Sequence, residues 1–152
     1  PLDENTLGIG HTVRLLKTYT SLKEVYLIGT ESSVAAVPLL IRYLSTTLGR
    51  VDCKVVAEKE YTVSSTDDTQ MVEETFRITR SIFDMLRNQK RYEPTKSHIL
   101  VDVTGGVRGM SVGALLACVR SDQDIHLIGS KYQRSGAIEK SFPMVIHFEV
   151  LL

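Results

Sequence analysis

No charge of either sign prevails in this sequence: 18 lysines and arginines balance 18 aspartates and glutamates. A general nucleic-acid binder needs a broad basic face to gain free energy from counterion release. No DNA or long-RNA partner is therefore expected, while a small anion held by a few local charges stays open. Cysteine is scarce. The two present, Cys53 and Cys118, each sit in an apolar stretch and share no metal-like spacing. They read as buried free thiols, compatible with a reducing, cytoplasmic compartment. No run of about 18 apolar residues occurs, as a membrane-spanning helix requires, and no signal-peptide pattern is seen. The four histidines, His11, His98, His126 and His147, are scattered, so neither a metal nor another cofactor is expected. No internal repeat or low-complexity segment is present. The dinucleotide fingerprint G-x-G-x-x-G is missing too, because Gly29-Thr30-Glu31-Ser32-Ser33 holds one glycine where that motif needs three.

What is present is a chain of 152 residues with 43% hydrophobic content, enough for one domain with a sizeable core. Its most informative stretch is Ile99 to Met110, I-L-V-D-V-T-G-G-V-R-G-M. Ile99-Leu100-Val101 suits a strand buried on both faces. Gly105 and Gly106 let a ligand approach the backbone and permit positive φ. Ser111 to Val119 then predicts a helix with Val112, Leu115, Leu116 and Val119 on its apolar face. Strand, glycine turn and helix together aim backbone N–H groups and a positive helix end at one place, which suits a phosphate. Arg108 adds a full positive charge there.

Upstream, Asn5 to Thr20 is weakly helical and reads as an addition to the core, a leading helix or linker over 1–22. Val25 to Ile28 predicts the first strand. The helix after it is capped by Ser32 or Ser33 and runs to about Leu48 on Leu40, Ile41 and Leu44. Pro38 either kinks that helix or marks its first turn, and Gly49 ends it. Cys53 to Ala57 is the second strand, and Glu58 to Asp68 a loop whose Thr66 or Asp67 caps a long helix. Val72, Phe76, Thr79, Phe83 and Leu86 form the apolar stripe of that helix. Glu73, Glu74, Arg77, Arg80 and Arg87 form its solvated face. Asn88 to Ser97 closes the crossover. Asp124 to Ile128 is a fourth strand, Ser135-Gly136 a hairpin turn, and Met144 to Leu151 a last strand. This order predicts an α/β fold, Rossmann-like with three layers, its sheet mostly parallel and ending in a C-terminal β-hairpin.

In such a sheet, ligands sit beyond the carboxyl ends of the strands. The loops Gly29–Ser33, Thr104–Met110 and Gly129–Tyr132 meet that condition and are expected to converge. Asp102 reads as an acceptor for backbone groups of neighbouring loops rather than a catalytic acid. A phosphoribosyltransferase turn also contains T-G-G, but two adjacent acids usually precede it, and here Asp102 stands alone.

Val25-Tyr26-Leu27-Ile28-Gly29-Thr30, Asp102-Val103-Thr104-Gly105-Gly106-Val107-Arg108-Gly109-Met110 and Ile128-Gly129-Ser130 together resemble the CARF family, the CRISPR-associated Rossmann fold, over residues 23–152. Val107-Arg108 stands where the family more often has Thr-Lys. The resemblance implies a sensor of cyclic oligoadenylate, cyclic tetra-adenylate first, acting in type III CRISPR antiviral defence. It also implies a two-fold homodimer, or a higher oligomer built from it, whose shared pocket matches the two-fold ring. The implied ligand-binding set is Gly29, Thr30, Glu31, Ser32, Ser33, Thr104, Gly105, Gly106, Val107, Arg108, Met110, Ser130 and Lys131, with Arg108 at the phosphates. Thr30, Ser32 and Ser33 would meet ribose or base edges. Neither an R-x-x-x-x-H nor a P-D…E-x-K nuclease motif occurs, so the output is expected outside this chain, a membrane segment upstream being one form. The alternatives are a metal-independent ring nuclease, in which a ribose 2′-hydroxyl attacks while Arg108, Ser32 and Lys131 stabilise charge, and a generic Rossmann-like nucleotide-binding enzyme. Binding is favoured over turnover because no general base is evident.

Overall fold

A computed structural model of the chain describes residues 10–89, 99–105, 107–121, 124–136 and 138–146. It is a mixed α/β structure with short parallel strands in small sheets. By its contacts the chain divides into two compact units, Pro1–Thr66 and Asp67–Leu152, each of which is described by itself.

The first unit contains α1 (Gly10–Thr18), β1 (Glu24–Tyr26), β2 (Gly29–Thr30), α2 (Glu31–Val34), α3 (Val37–Thr46), β3 (Lys54–Val56) and β4 (Thr62–Val63). Its core joins Val13, Leu15 and Leu16 of α1 to Leu40, Tyr43, Leu44 and Cys53. α1 is thus built into this core, not added beside it. Arg50 fastens the helix further. Its guanidinium donates to the carbonyls of Leu16 (3.2 Å) and Leu22 (2.7 Å), and its Nε donates to Asp52 (3.1 Å). Lys23 meets the other oxygen of the same carboxylate at 3.1 Å.

Of the expected strand Val25–Ile28 only Val25 and Tyr26 are strand, in β1, and β2 falls in the Gly29–Ser33 stretch expected to be a loop. β1 pairs in parallel with β3, placing Val25 opposite Val55, and β2 pairs in parallel with β4, placing Gly29 opposite Thr62. β4 lies inside the stretch expected to be a loop, after a single 3₁₀ turn at Lys59–Tyr61. Burial drives this: Tyr61 and Val63 are both buried.

The helix expected from Ser33 to Leu48 is also two helices. A proline ring clashes with the carbonyl four residues before it, and for Pro38 that carbonyl belongs to Val34, where α2 stops. Pro38 then sits in the first turn of α3, where its missing N–H has no intrahelical partner to lose. The buried face of α3 is Leu40, Tyr43 and Leu44, and Ile41 is exposed. Gly49, at φ 62°, lets the Arg50 N–H turn back to the Leu44 carbonyl at 2.8 Å, so it does end the helix.

The second unit contains α4 (Asp68–Asn88), β5 (Leu100–Asp102), α5 (Arg108–Ser121), β6 (Asp124–Tyr132) and β7 (Ile138–Ile146). Asp67 caps α4, its carboxylate accepting from the Gln70 N–H at 3.1 Å. Thr79, Phe83 and Leu86 are buried as their spacing predicts, joined by Thr75, Ile78 and Ile82, while Val72 and Phe76 are half-buried. β5 and β6 are parallel, with Asp102 opposite His126, and β6 and β7 are antiparallel. Each β5 residue is half-buried, not buried as expected. β6 runs to Tyr132, so Gly129–Tyr132 is strand rather than loop. Of the expected last strand Met144–Leu151, residues 144–146 are the continuation of β7, within one hairpin, and the rest lies outside the described residues. The hairpin turn does fall at Ser135-Gly136, with Gly136 at φ 86°.

α5 departs most from expectation. Its buried face is Gly109, Met110, Gly113, Ala114, Ala117 and Cys118, while Val112, Leu116 and Val119 are 40%, 49% and 43% exposed. The reason is α4. A Cβ on Gly109 would lie 2.8 Å from the Asp68 carbonyl oxygen, and one on Gly113 would lie 3.0 Å from the Phe76 nitrogen. The two helix backbones approach so closely that only the small-residue face of α5 fits between them.

Candidate functional site

The first turn of interest belongs to the first unit. Gly29 is buried in β2, and a Cβ there would run into the Ser33 hydroxyl. Thr30 ends β2 and caps α2 in extended backbone (φ −81°, ψ 167°), its Oγ1 accepting from the Ser33 N–H at 3.4 Å. Ser32 and Ser33 were the expected caps. α2 starts immediately after the strand, however, so the cap position falls on Thr30. The Ser32 and Ser33 hydroxyls instead gather around Thr30 Oγ1 at 3.0 and 3.3 Å, and Ser33 Oγ also donates to the Thr30 carbonyl at 3.0 Å. Three hydroxyls therefore share one exposed corner. Glu31, also exposed, places a carboxylate in the first turn of α2. That charge suits the helix dipole and opposes an incoming anion. The corner is chemically fit for hydroxyls and base edges, not for a phosphate.

The second turn belongs to the second unit and follows β5. Asp102 Oδ1 accepts from both the N–H (3.2 Å) and the hydroxyl (2.6 Å) of Thr104. Asp102 was expected to accept from loop backbone groups, and the Thr104 N–H is one; the shorter bond, from the Thr104 hydroxyl, was not expected. Gly105 is exposed, and Gly106 lies outside the described residues. Val107 is 50% exposed, and its carbonyl accepts the Ser111 N–H at 3.0 Å. Arg108 is exposed as the first residue of α5. Valine has no side-chain oxygen with which to cap the helix, so Val107 puts no competing acceptor in front of the first turn. Met110 is different. It is buried on the α5 packing face, not displayed at the turn.

No protein-family model matches this chain, and no curated protein matches it.

Ser130 and Lys131 lie on β6, in register with Ser141 and Lys140 of β7. Asp102, the last residue of β5, pairs with His126, so Ser130 is four positions farther along the strand. At roughly 3.3 Å per residue that is about 13 Å beyond Asp102. The Thr104–Arg108 turn and the Ser130–Lys131 pair thus share one unit, the Gly29–Ser33 turn being in the other.

Among the described residues no group of three or more His, Cys, Asp or Glu side chains could hold a metal ion. His98 and His147 lie outside them. No described helix is long and apolar enough to cross a membrane. Both cysteines are free and buried. Burial pushes the Cys53 thiol up and the Cys118 thiol up to about 12, so neither is a ready nucleophile at neutral pH.

One residue that positions these turns gave no motif signal in the sequence. Ser111 donates from its hydroxyl to the Val103 carbonyl at 3.4 Å, tying the first turn of α5 to the end of β5. Thr30, expected as a ligand contact, is also the cap that fixes Ser32 and Ser33.

Proposed function

We propose that residues 23–152 form a CARF-like sensor domain that binds a cyclic oligoadenylate, cyclic tetra-adenylate first, as a two-fold homodimer with a Rossmann-like arrangement of its strands. The observation that carries this reading is the second turn. T-G-G-V-R follows a strand that is parallel to its neighbour, and Arg108 stands exposed at the first position of a 14-residue helix. An exposed guanidinium at a helix start is suited to a phosphate. A ring with two-fold symmetry is served by an isologous dimer that offers each group twice. The bound sensor would control an output carried outside these residues.

Calorimetric titration with cyclic tetra- and hexa-adenylate tests the reading. Binding of one ring per two chains is expected, and no heat with either ring overturns it. Arg108→Ala is expected to weaken binding by about 1.5–3 kcal/mol for each charged hydrogen bond lost, with the melting temperature unchanged because Arg108 is exposed.

A further inference from the structure

We infer that the outward face of α5 docks an acidic amphipathic helix of a partner protein. The inference does not depend on the reading of the second turn as a cyclic oligoadenylate site. Val112, Leu116 and Val119 are spaced i, i+4 and i+7, so they form one ridge along α5. They are 40%, 49% and 43% exposed, and the ridge runs for about 10 Å at 1.5 Å per residue. The other side of the helix is occupied: α4 presses on Gly109 and Gly113, and Ala117 and Cys118 pack with Phe83. The larger aliphatic residues of α5 thus face outward while its glycines and alanines face inward. A contiguous exposed apolar surface of this kind marks an interaction site.

Charge selects the occupant. α5 carries Arg108 and Arg120 and no acidic residue. Arg120 is exposed in its last turn, and Arg87 of α4 joins it there, donating to the Ser121 carbonyl at 2.9 Å. A carbonyl is neutral, so both positive charges remain. The exposed face of α4 mixes signs, with Glu73 and Asp84 as well as Arg77, so the excess belongs to α5. A second copy would bring arginine to arginine, whether the two α5 helices ran parallel or antiparallel. Three part-exposed side chains also fall far short of the about 800 Å² that each partner of a stable dimer covers. A bilayer surface asks for aromatic residues and a cluster of basic ones, and α5 has neither aromatic residue nor lysine. An acidic helix satisfies both features: its apolar face lies along the ridge, and its carboxylates meet Arg120 and Arg87.

Two helical peptides of about 15 residues, long enough to hold a helix in water, test this. Both carry leucines at helical spacing, flanked by glutamates in one and by lysines in the other. Each is titrated into the isotope-labelled chain and followed by NMR. The glutamate peptide should bind about fivefold or more tightly than the lysine peptide, with the amides from Val112 to Arg120 shifting most. Leu116→Asp should weaken it about tenfold, and Arg120→Glu should remove most of the preference for glutamate. Equal binding of the two peptides, no binding of either, or shifts confined to other elements overturns the inference. So does self-association that Leu116→Asp abolishes, which makes the occupant a second copy. Binding of vesicles of phosphatidylserine and phosphatidylcholine in place of the peptide overturns it in favour of a bilayer. Leu116→Cys that resists a thiol reagent in the peptide-free chain shows the face already covered, with the same result. Should Leu116→Asp not fold, judged by its thermal melt, Val119→Asp is read in its place by the same criteria.

Discussion

Replacing Gly113 by alanine sets helix propensity against packing, and the structure decides the winner. Alanine is favoured over glycine inside a helix by about 1 kcal/mol, so an exposed site would be stabilised. At Gly113 the added Cβ would overlap the Val72 carbonyl oxygen and stand 2.9 Å from Thr75 Cβ and 3.0 Å from the Phe76 nitrogen. Two of these neighbours are backbone atoms of α4 and cannot swing aside as a flexible side chain would. Overpacking of this kind costs about 1–3 kcal/mol. The net expectation is destabilisation of up to about 2 kcal/mol after the propensity gain is subtracted. For a chain of this size each kcal/mol lowers the melting temperature by about 2–4 °C. Urea denaturation followed by circular dichroism measures the change as a lower midpoint with an unaltered slope. A Gly113→Ala protein more stable than the wild type by the full propensity difference would refute the close approach of α4 and α5.

Arg50→Ala should destabilise the chain by about 2–4 kcal/mol, since it strips hydrogen bonds from the Leu16 and Leu22 carbonyls and from Asp52. Proteolysis that cuts the variant no faster than the wild type near α1 would count against that staple. Bonds from Lys23 and then Arg50 hold the Asp52 carboxyl below its ordinary value of 3.8. Asp52 therefore contributes stability that is fully present above pH of about 4 and is lost as pH falls through its lower folded value; Asp52→Asn should flatten that part of the acid-denaturation curve. Cys118, its thiol pushed up to about 12 by burial, should react with a thiol reagent at pH 8 only in urea. Rapid labelling of Cys118 in native buffer would show that the α4–α5 core is open.

The features legible in the sequence were those decided within a few residues. Asp67 caps α4 because a carboxylate three residues ahead of an N–H reaches it locally. Pro38 marks a helix start, and Gly49 and Gly136 take positive φ, for reasons held in their own geometry. The strand–turn–helix from Asp102 to Arg108 is local in the same sense, and so was the readiness of Asp102 to accept hydrogen bonds from its loop.

Tertiary packing decided the rest. An apolar stripe on α5 pointed to Val112, Leu116 and Val119, but helix–helix burial rewards close approach as well as apolar area, and α4 selected the glycine and alanine face. Thr62-Val63 is too short to announce a strand, and it became one because Gly29-Thr30 lay beside it to be paired. β6 extends to Tyr132 because β7 supplies partners along its length. Arg50 resembles any solvent-facing arginine until the chain brings the Leu16 and Leu22 carbonyls to it. Local backbone chemistry is written in neighbouring residues, whereas which faces are buried and which strands pair depends on partners distant in the chain.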